Sequence, residues 1–157
     1  MREILHFIDG EVVKGTSDRT GDVYNPATGE VEAKVALANA ADVDAAVQSA
    51  KAALPGWANT PAAKRAQVMF AFRDLLKQNM DELAVLLSRE HGKTLDDAKG
   101  SITRGLEVVE FACGAPHLLK GEFSEGVANG VDVHSTRQPV GVCTGITPFN
   151  FPAMVPM

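Results

Sequence analysis

The residues best placed to do chemistry lie at the end of the 157-residue chain, in the run Ile-Thr-Pro-Phe-Asn-Phe-Pro over 146–152. Pro148, Pro152 and Pro156 each fix their own φ and remove a backbone donor, which excludes both a regular helix and a central strand. Phe151 and Val155 precede prolines and are pushed towards extended backbone. The expected result is a stiffened turn, following an apolar strand, that presents the amide of Asn150 between two aromatic rings. A side-chain amide is a neutral donor at any working pH. Aimed at a carbonyl oxygen, it could stabilise an oxyanion. The same spacing also fits an Asx-turn in which Asn150 bonds its own loop.

Arg104 is the second candidate. On a helix starting near residue 95, Ile102, Leu106, Val109 and Cys113 form the apolar stripe. Arg104 lies off it, on a face shared with Val108 and Phe111. A guanidinium over an apolar face can clamp a carboxylate with two parallel hydrogen bonds. The alternative is an exposed arginine paired with Glu107 one turn on. Cys113 and Cys143 sit in apolar runs without a basic neighbour, which argues for structural rather than nucleophilic roles. His6, His91, His117 and His134 are dispersed without metal-ligand spacing, and no metal site is expected. Lys93 and His91 sit at a helix end, where cations complement the dipole. No glycine-rich phosphate loop is present.

The elements that must hold these groups read as strands, then helices, then strands. Ile4 to Ile8, Asp9-Gly10 and Glu11 to Val13 form a hairpin signal. Asn25-Pro26 and Thr28-Gly29 mark a turn before an alternating strand of Val31, Ala33, Val35 and Leu37. Asn39 and Asp42 form a capping pair for a helix carrying Val43, Ala46, Val47, Ala50 and Leu54. Leu54-Pro55-Gly56 should stop that helix, and Thr60-Pro61 should start another, with Thr60 as cap and Val68, Phe72, Leu75 and Leu76 as its buried face. A third segment after Asn79, carrying Leu83, Leu86 and Leu87, ends at Gly92. Thr94 and Asp97 cap the helix of Arg104, which runs to about Cys113 with Gly114 as its stop. Residues 117–130 look loop-like, 131–137 alternate, and 140–146 are apolar and β-rich. A sheet containing 140–147 would need partners that these residues do not supply.

Composition sets outer bounds. With 45% hydrophobic and 22% charged residues the chain should fold rather than stay disordered. A net charge of −5 without a basic cluster argues against nucleic acid. No apolar run is long enough to span a bilayer. The amino terminus lacks the features of a signal peptide, and two reduced thiols suit a cytoplasmic protein.

Four stretches carry a resemblance: YNPATGEV (24–31), PGWANTPAAKRAQVM (55–69), SREHGKTLDDAKG (88–100) and QPVGVCTGITPFNFP (138–152). In that order they resemble the amino-terminal landmarks of the aldehyde dehydrogenases. RGLEVVEFACGAPHLLKGE (104–122) and GITPFNFPAMVPM (145–157) are most similar to the CoA-acylating, methylmalonate-semialdehyde branch. Phe149, where many members carry tryptophan, also favours that branch.

The resemblance implies an α/β fold: the amino-terminal part of the aldehyde dehydrogenase fold, with short strands, a run of helices, an oligomerisation β-hairpin and the first strand of the Rossmann-like NAD-binding domain. Residues 1–157 would be an incomplete NAD-binding domain, with the oligomerisation hairpin near 122–140. Asn150 would be the oxyanion donor and Arg104 the carboxylate clamp. Ile146, Thr147, Pro148 and Phe149 would lie at the nicotinamide half of NAD. The implied reaction converts a semialdehyde, CoA and NAD into an acyl-CoA, CO₂ and NADH within a homo-oligomer. The catalytic cysteine would lie beyond residue 157, leaving these residues inactive alone and, with an uncovered edge at 140–147, prone to aggregate. A non-catalytic assembly fragment and a CoA-independent aldehyde dehydrogenase are the other readings.

Overall fold

Asp9 and Gly10 both take positive φ, 56° and 78°. A type I′ turn requires this, and it joins strands β2 (His6–Ile8) and β3 (Glu11–Val13) in the expected hairpin. The computed structural model describes all residues 1–157. Ahead of the hairpin, β1 (Arg2–Ile4) runs parallel to β5 (Val31–Ala36), which pairs antiparallel with β4 (Thr20–Tyr24). The turn between β4 and β5 closes as read: Asn25 Oδ1 accepts from Ala27 N at 2.8 Å, and Gly29 takes a φ of 75°. Ala33, one of the alternating positions of β5, is fully buried.

Helix α1 (Ala40–Asn59) starts with the expected capping box. Asn39 Oδ1 accepts from Asp42 N, and Asp42 Oδ2 accepts from Asn39 N, each at 3.0 Å. Asp42 Oδ1 also accepts from Thr16 N at 2.6 Å and Thr16 Oγ1 at 2.9 Å, which ties the loop after β3 to the helix. The Asn39 N–H, then the Thr16 N–H, hold the Asp42 carboxyl below its ordinary range, against the opposing effect of burial. A depressed carboxylate contributes stability that is full above its unfolded pKa, about 3.9, and is lost as pH falls through the lower folded value. Asp42→Asn should therefore flatten the acid limb of a Tm-against-pH curve. An unchanged acid limb would count against this network.

Two expectations about α1 fail. The helix does not stop at Leu54-Pro55-Gly56 but continues through Pro55 to Asn59. Pro55 is exposed, so the carbonyl left without a donor can be hydrated. Thr60 Oγ1 does not cap the next helix. It donates back to Gly56 O at 2.8 Å and closes α1, so α2 (Ala62–Gln78) begins after Pro61 without a side-chain cap. The apolar stripe of α1 is also left open, with Val43 and Val47 exposed.

The core lies where α4 (Leu95–Cys113) packs on α2 and α3 (Met80–His91). Ile102, Leu106, Val109 and Cys113 are buried, as the spacing requires. One cluster joins Leu76, Leu106 and Val109, with Met69 and Leu83 against it. A second joins Ala84, Ala98 and Ile102, with Leu83 and Leu87 against it. Of the face expected for α2, only Leu76 is buried. Val68, Phe72 and Leu75 are exposed, while Ala66 and Met69 turn inward. Gly92 stops α3 in the left-handed region, with φ 86°. Gly114 ends α4 with a right-handed backbone, and a 3₁₀ turn over Ala115–Leu119 follows.

Beyond Lys120 the outcome differs from the expectation in two ways. Residues 123–128, loop-like by composition, form a strand instead: Phe123–Ala128 is β6 and pairs with β7 (Val131–His134), giving the β-hairpin that the resemblance implied near 122–140. The hairpin base is closed by Ser135 N donating to Glu122 O and Glu122 N donating to Ser135 Oγ, each at 2.9 Å. Residues 140–147, expected as a strand, form no ladder. A strand needs a neighbour for its backbone groups, and none is present, so Val140 and Ile146 stand 95% and 99% exposed.

The chain exposes 11371 Å². A compact monomer of its 16.6 kDa would expose about 7,600 Å². The excess includes the apolar row Val68, Phe72, Leu75 and Leu86 along α2 and α3. The isolated chain is therefore expected to self-associate through exposed side chains rather than through a strand edge. Sedimentation equilibrium tests this, and a strictly monomeric chain would contradict it.

Candidate active-site segment

Residues 151–157 dock on both core clusters. Ala153 packs on the cluster of Ala84, Ala98 and Ile102, and Met157 on that of Leu76, Leu106 and Val109. The segment is a run of turns, with Val155 N donating to Phe151 O at 3.2 Å. It matches the proline-stiffened turn expected here. Gly105 permits the approach: a Cβ there would sit 3.3 Å from Met154 Cα and 2.5 Å from Met157 Sδ. The methionine tip could move aside, but the backbone could not do so without shifting the turn. Gly105→Val should lift 151–157 off α4 and speed chymotryptic cleavage after Phe149. Unchanged cleavage would show that the docking does not depend on this gap.

Phe151 is the meeting point of the site. The Arg104 guanidinium carbon lies 5.9 Å from its ring centroid and Lys93 Nζ lies 5.3 Å from it. Both distances fall within the range of cation–π attraction. Lys93 also pairs with Asp97 Oδ2 at 2.8 Å. That hydrogen bond, helped by the charges of Lys93, Arg104 and His91, holds the Asp97 carboxyl below its usual range.

Arg104 makes no ion pair or hydrogen bond, so the expected alternative of a pair with Glu107 does not form. Its guanidinium is exposed and free to take an anion. Asn150 is likewise exposed, and its amide forms no hydrogen bond, so the Asx-turn alternative is not realised either. Ile146, Thr147, Pro148 and Phe149 are all exposed. Phe149 lines an open cleft of about 530 Å³ with Leu83, Leu87, Ile102 and Pro152, and the exposed Arg2–Glu90 ion pair lies at the same cleft.

The cysteines divide. Cys113 is buried, as expected, whereas Cys143 is exposed because 140–147 lacks the ladder that would bury it. No group of His, Cys, Asp and Glu with metal-binding geometry occurs. The contact of Lys93 with Phe151 is not among the sequence-based expectations. The available signal was the i,i+4 spacing of Lys93 and Asp97 after the left-handed Gly92. Arg104 on α4 thus offers an unpaired cation and Asn150 an unbonded amide, while the apolar cleft beside them is lined by Phe149 and Pro152 and by neither of those two groups.

Residues 12–157 fit the aldehyde dehydrogenase family, and the chain belongs to it. It is 52% identical over 157 residues to malonate-semialdehyde dehydrogenase of Pseudomonas aeruginosa, covering 100% of this chain and 31% of that protein. It is 51% identical to the acylating, mitochondrial methylmalonate-semialdehyde dehydrogenase of Arabidopsis thaliana, covering 98% of this chain and 25% of the other. Among solved structures, methylmalonate-semialdehyde dehydrogenase of Oceanimonas doudoroffii superposes with a TM-score of 0.96 at 51% identity, over 99% of this chain and 32% of that one. A Sinorhizobium meliloti protein crystallised with NAD, provisionally described as a methylmalonate-semialdehyde dehydrogenase, gives 0.97 at 62% identity, over 99% and 32%. The fold is therefore the amino-terminal part of the aldehyde dehydrogenase fold, and the chain spans between 25% and 32% of the length of these relatives. No helix is long and apolar enough to cross a membrane.

Proposed function

We propose that residues 1–157 are the amino-terminal part of an NAD-dependent, CoA-acylating dehydrogenase of malonate or methylmalonate semialdehyde. The overall reaction would take semialdehyde, CoA and NAD to acyl-CoA, CO₂ and NADH. The observation that carries this reading is the free guanidinium of Arg104 against Phe151, the residue next to the free amide of Asn150. One group suits the carboxylate of a semialdehyde and the other its carbonyl oxygen.

In this reading Arg104 holds the carboxylate as a charge-assisted clamp. The Asn150 amide donates to the carbonyl oxygen as negative charge develops there. Ile146 to Phe149 fit the nicotinamide half of NAD, because they are exposed and Ile146 and Phe149 offer apolar surface. When bound, NAD would supply the hydride acceptor. The attacking thiol belongs to neither cysteine of this chain. Cys113 is packed in the core and Cys143 lies in a different cleft, against α1.

The test is a chimera in which residues 1–157 replace the matching segment of the Pseudomonas aeruginosa relative. Acetyl-CoA formed from malonate semialdehyde, CoA and NAD would support the reading. NADH formed without CoA, with free acid as product, would favour a CoA-independent aldehyde dehydrogenase.

A second reading, as a subunit-pairing segment of a homo-oligomer, is favoured by the hairpin β6–β7, which is exposed throughout. Co-purification with a full-length subunit would support it, and loss of that capture on deleting 123–134 would place it in the hairpin. A cytoplasmic location goes with both readings and is supported by two free thiols.

A further inference from the structure

Lys93 has no part in the chemistry above, yet its surroundings are unusual for a lysine. Its side chain is only 9% exposed. A covered ammonium must find partners to offset lost hydration. It has two, the Asp97 carboxylate at 2.8 Å and the face of Phe151 at 5.3 Å. Its backbone is held as well: Ser88 Oγ donates to Lys93 O at 2.7 Å. Gly92, at φ 86°, makes the bend before it, and a Cβ at that position would meet Pro26 at 3.0 Å. Only glycine fits such a conformation at such a distance without strain.

The two cations at Phe151 therefore differ. Lys93 is covered and already paired, whereas Arg104 is exposed and free. Asn150 makes no hydrogen bond that would fix its own direction, so its placement depends on its neighbours in the turn. Of these, Phe149 is 86% exposed and Phe151 is the one held on its ring face.

We propose that Lys93 is a positioning residue: with Asp97 it pins the Phe151 ring and so sets the turn that aims Asn150, leaving Arg104 free for the substrate anion. The catalytic consequence rests on the oxyanion reading of Asn150, whereas the anchoring can be tested without it.

The experiment uses the 157-residue chain and chymotrypsin, with products read by mass spectrometry. The bond after Phe151 resists cleavage because proline follows it, so release of residues 150–157 reports the mobility of the turn at Phe149. Cleavage after Phe123, in the exposed hairpin, is the internal reference. Lys93→Met should raise the Phe149-to-Phe123 cleavage ratio about two- to thirty-fold, the span that a cation–π contact is worth. Lys93→Arg should bring it back towards the parent value, a rescue that general loosening would not show. Phe151→Leu should behave like Lys93→Met and provides the answer if the lysine variant fails to fold. An unchanged ratio in the folded Lys93→Met chain, or in Phe151→Leu where that chain does not fold, overturns the proposal.

In the chimera, Lys93→Met should lower kcat while leaving the KM for malonate semialdehyde close to the parent value. If instead Asn150→Ala leaves the chimera fully active, the oxyanion reading falls while the cleavage ratio still judges the anchor.

Discussion

Replacing Asn150 by alanine in the chimera should lower kcat by about 10²–10³-fold, the usual loss when one oxyanion donor is removed. The KM for the semialdehyde should change little, because the hydrogen bond matters when charge reaches the oxygen rather than on binding. The fold itself should be indifferent. Asn150 is exposed and its amide bonds to nothing in the chain, so its loss removes no native contact. A Tm equal to the parent's, together with a collapsed kcat, is the expected pair of results. Falls in both would point to a role in holding the turn.

The second large effect is expected at Arg104. Arg104→Leu keeps bulk against Phe151 and removes the only unpaired cation at that ring. Charge-assisted hydrogen bonds contribute about 1.5–3 kcal/mol, so kcat/KM for malonate semialdehyde should fall about ten- to a hundred-fold. Propanal, an aldehyde of similar size without the carboxylate, should be affected only slightly. Selectivity for the charged substrate should therefore collapse towards unity. Equal losses on both aldehydes would mean that Arg104 acts on the turn or the fold and not as a clamp.

Legibility of the fold in the sequence followed how local each signal is. The hairpin at Asp9-Gly10, the Asn39–Asp42 box and the Thr94 cap depend on residues at most a few positions apart, and all three formed. The stripe of α4 was readable because it contains one apolar face. Helix α2 offers two, and bulk hydrophobicity points to Val68, Phe72 and Leu75. The smaller face, with Ala66, is the one that turns inward at the junction with α4. A strand over 140–147 would depend wholly on partners, which no local signal can supply, and without them the segment forms no ladder. In β6, Gly126 read as a loop residue but supports a bent strand at φ 66°.

The site was legible to a similar degree. The free amide and free guanidinium were readable as candidates from residue type and spacing. Their joint setting was not, because Lys93 and Phe151 are 58 positions apart (151 minus 93) and meet only when the turn docks on α4.

Whether Asn150 acts as a neutral hydrogen-bond donor is decided by kcat of Asn150→Asp against Asn150→Ala in the chimera at neutral pH. Aspartate has nearly the shape of asparagine but, once ionised, can only accept. If the amide acts by donation, Asn150→Asp should be at least as damaging as Asn150→Ala. Retention of near-parent kcat by Asn150→Asp would contradict it, and would assign the position to shape rather than donation.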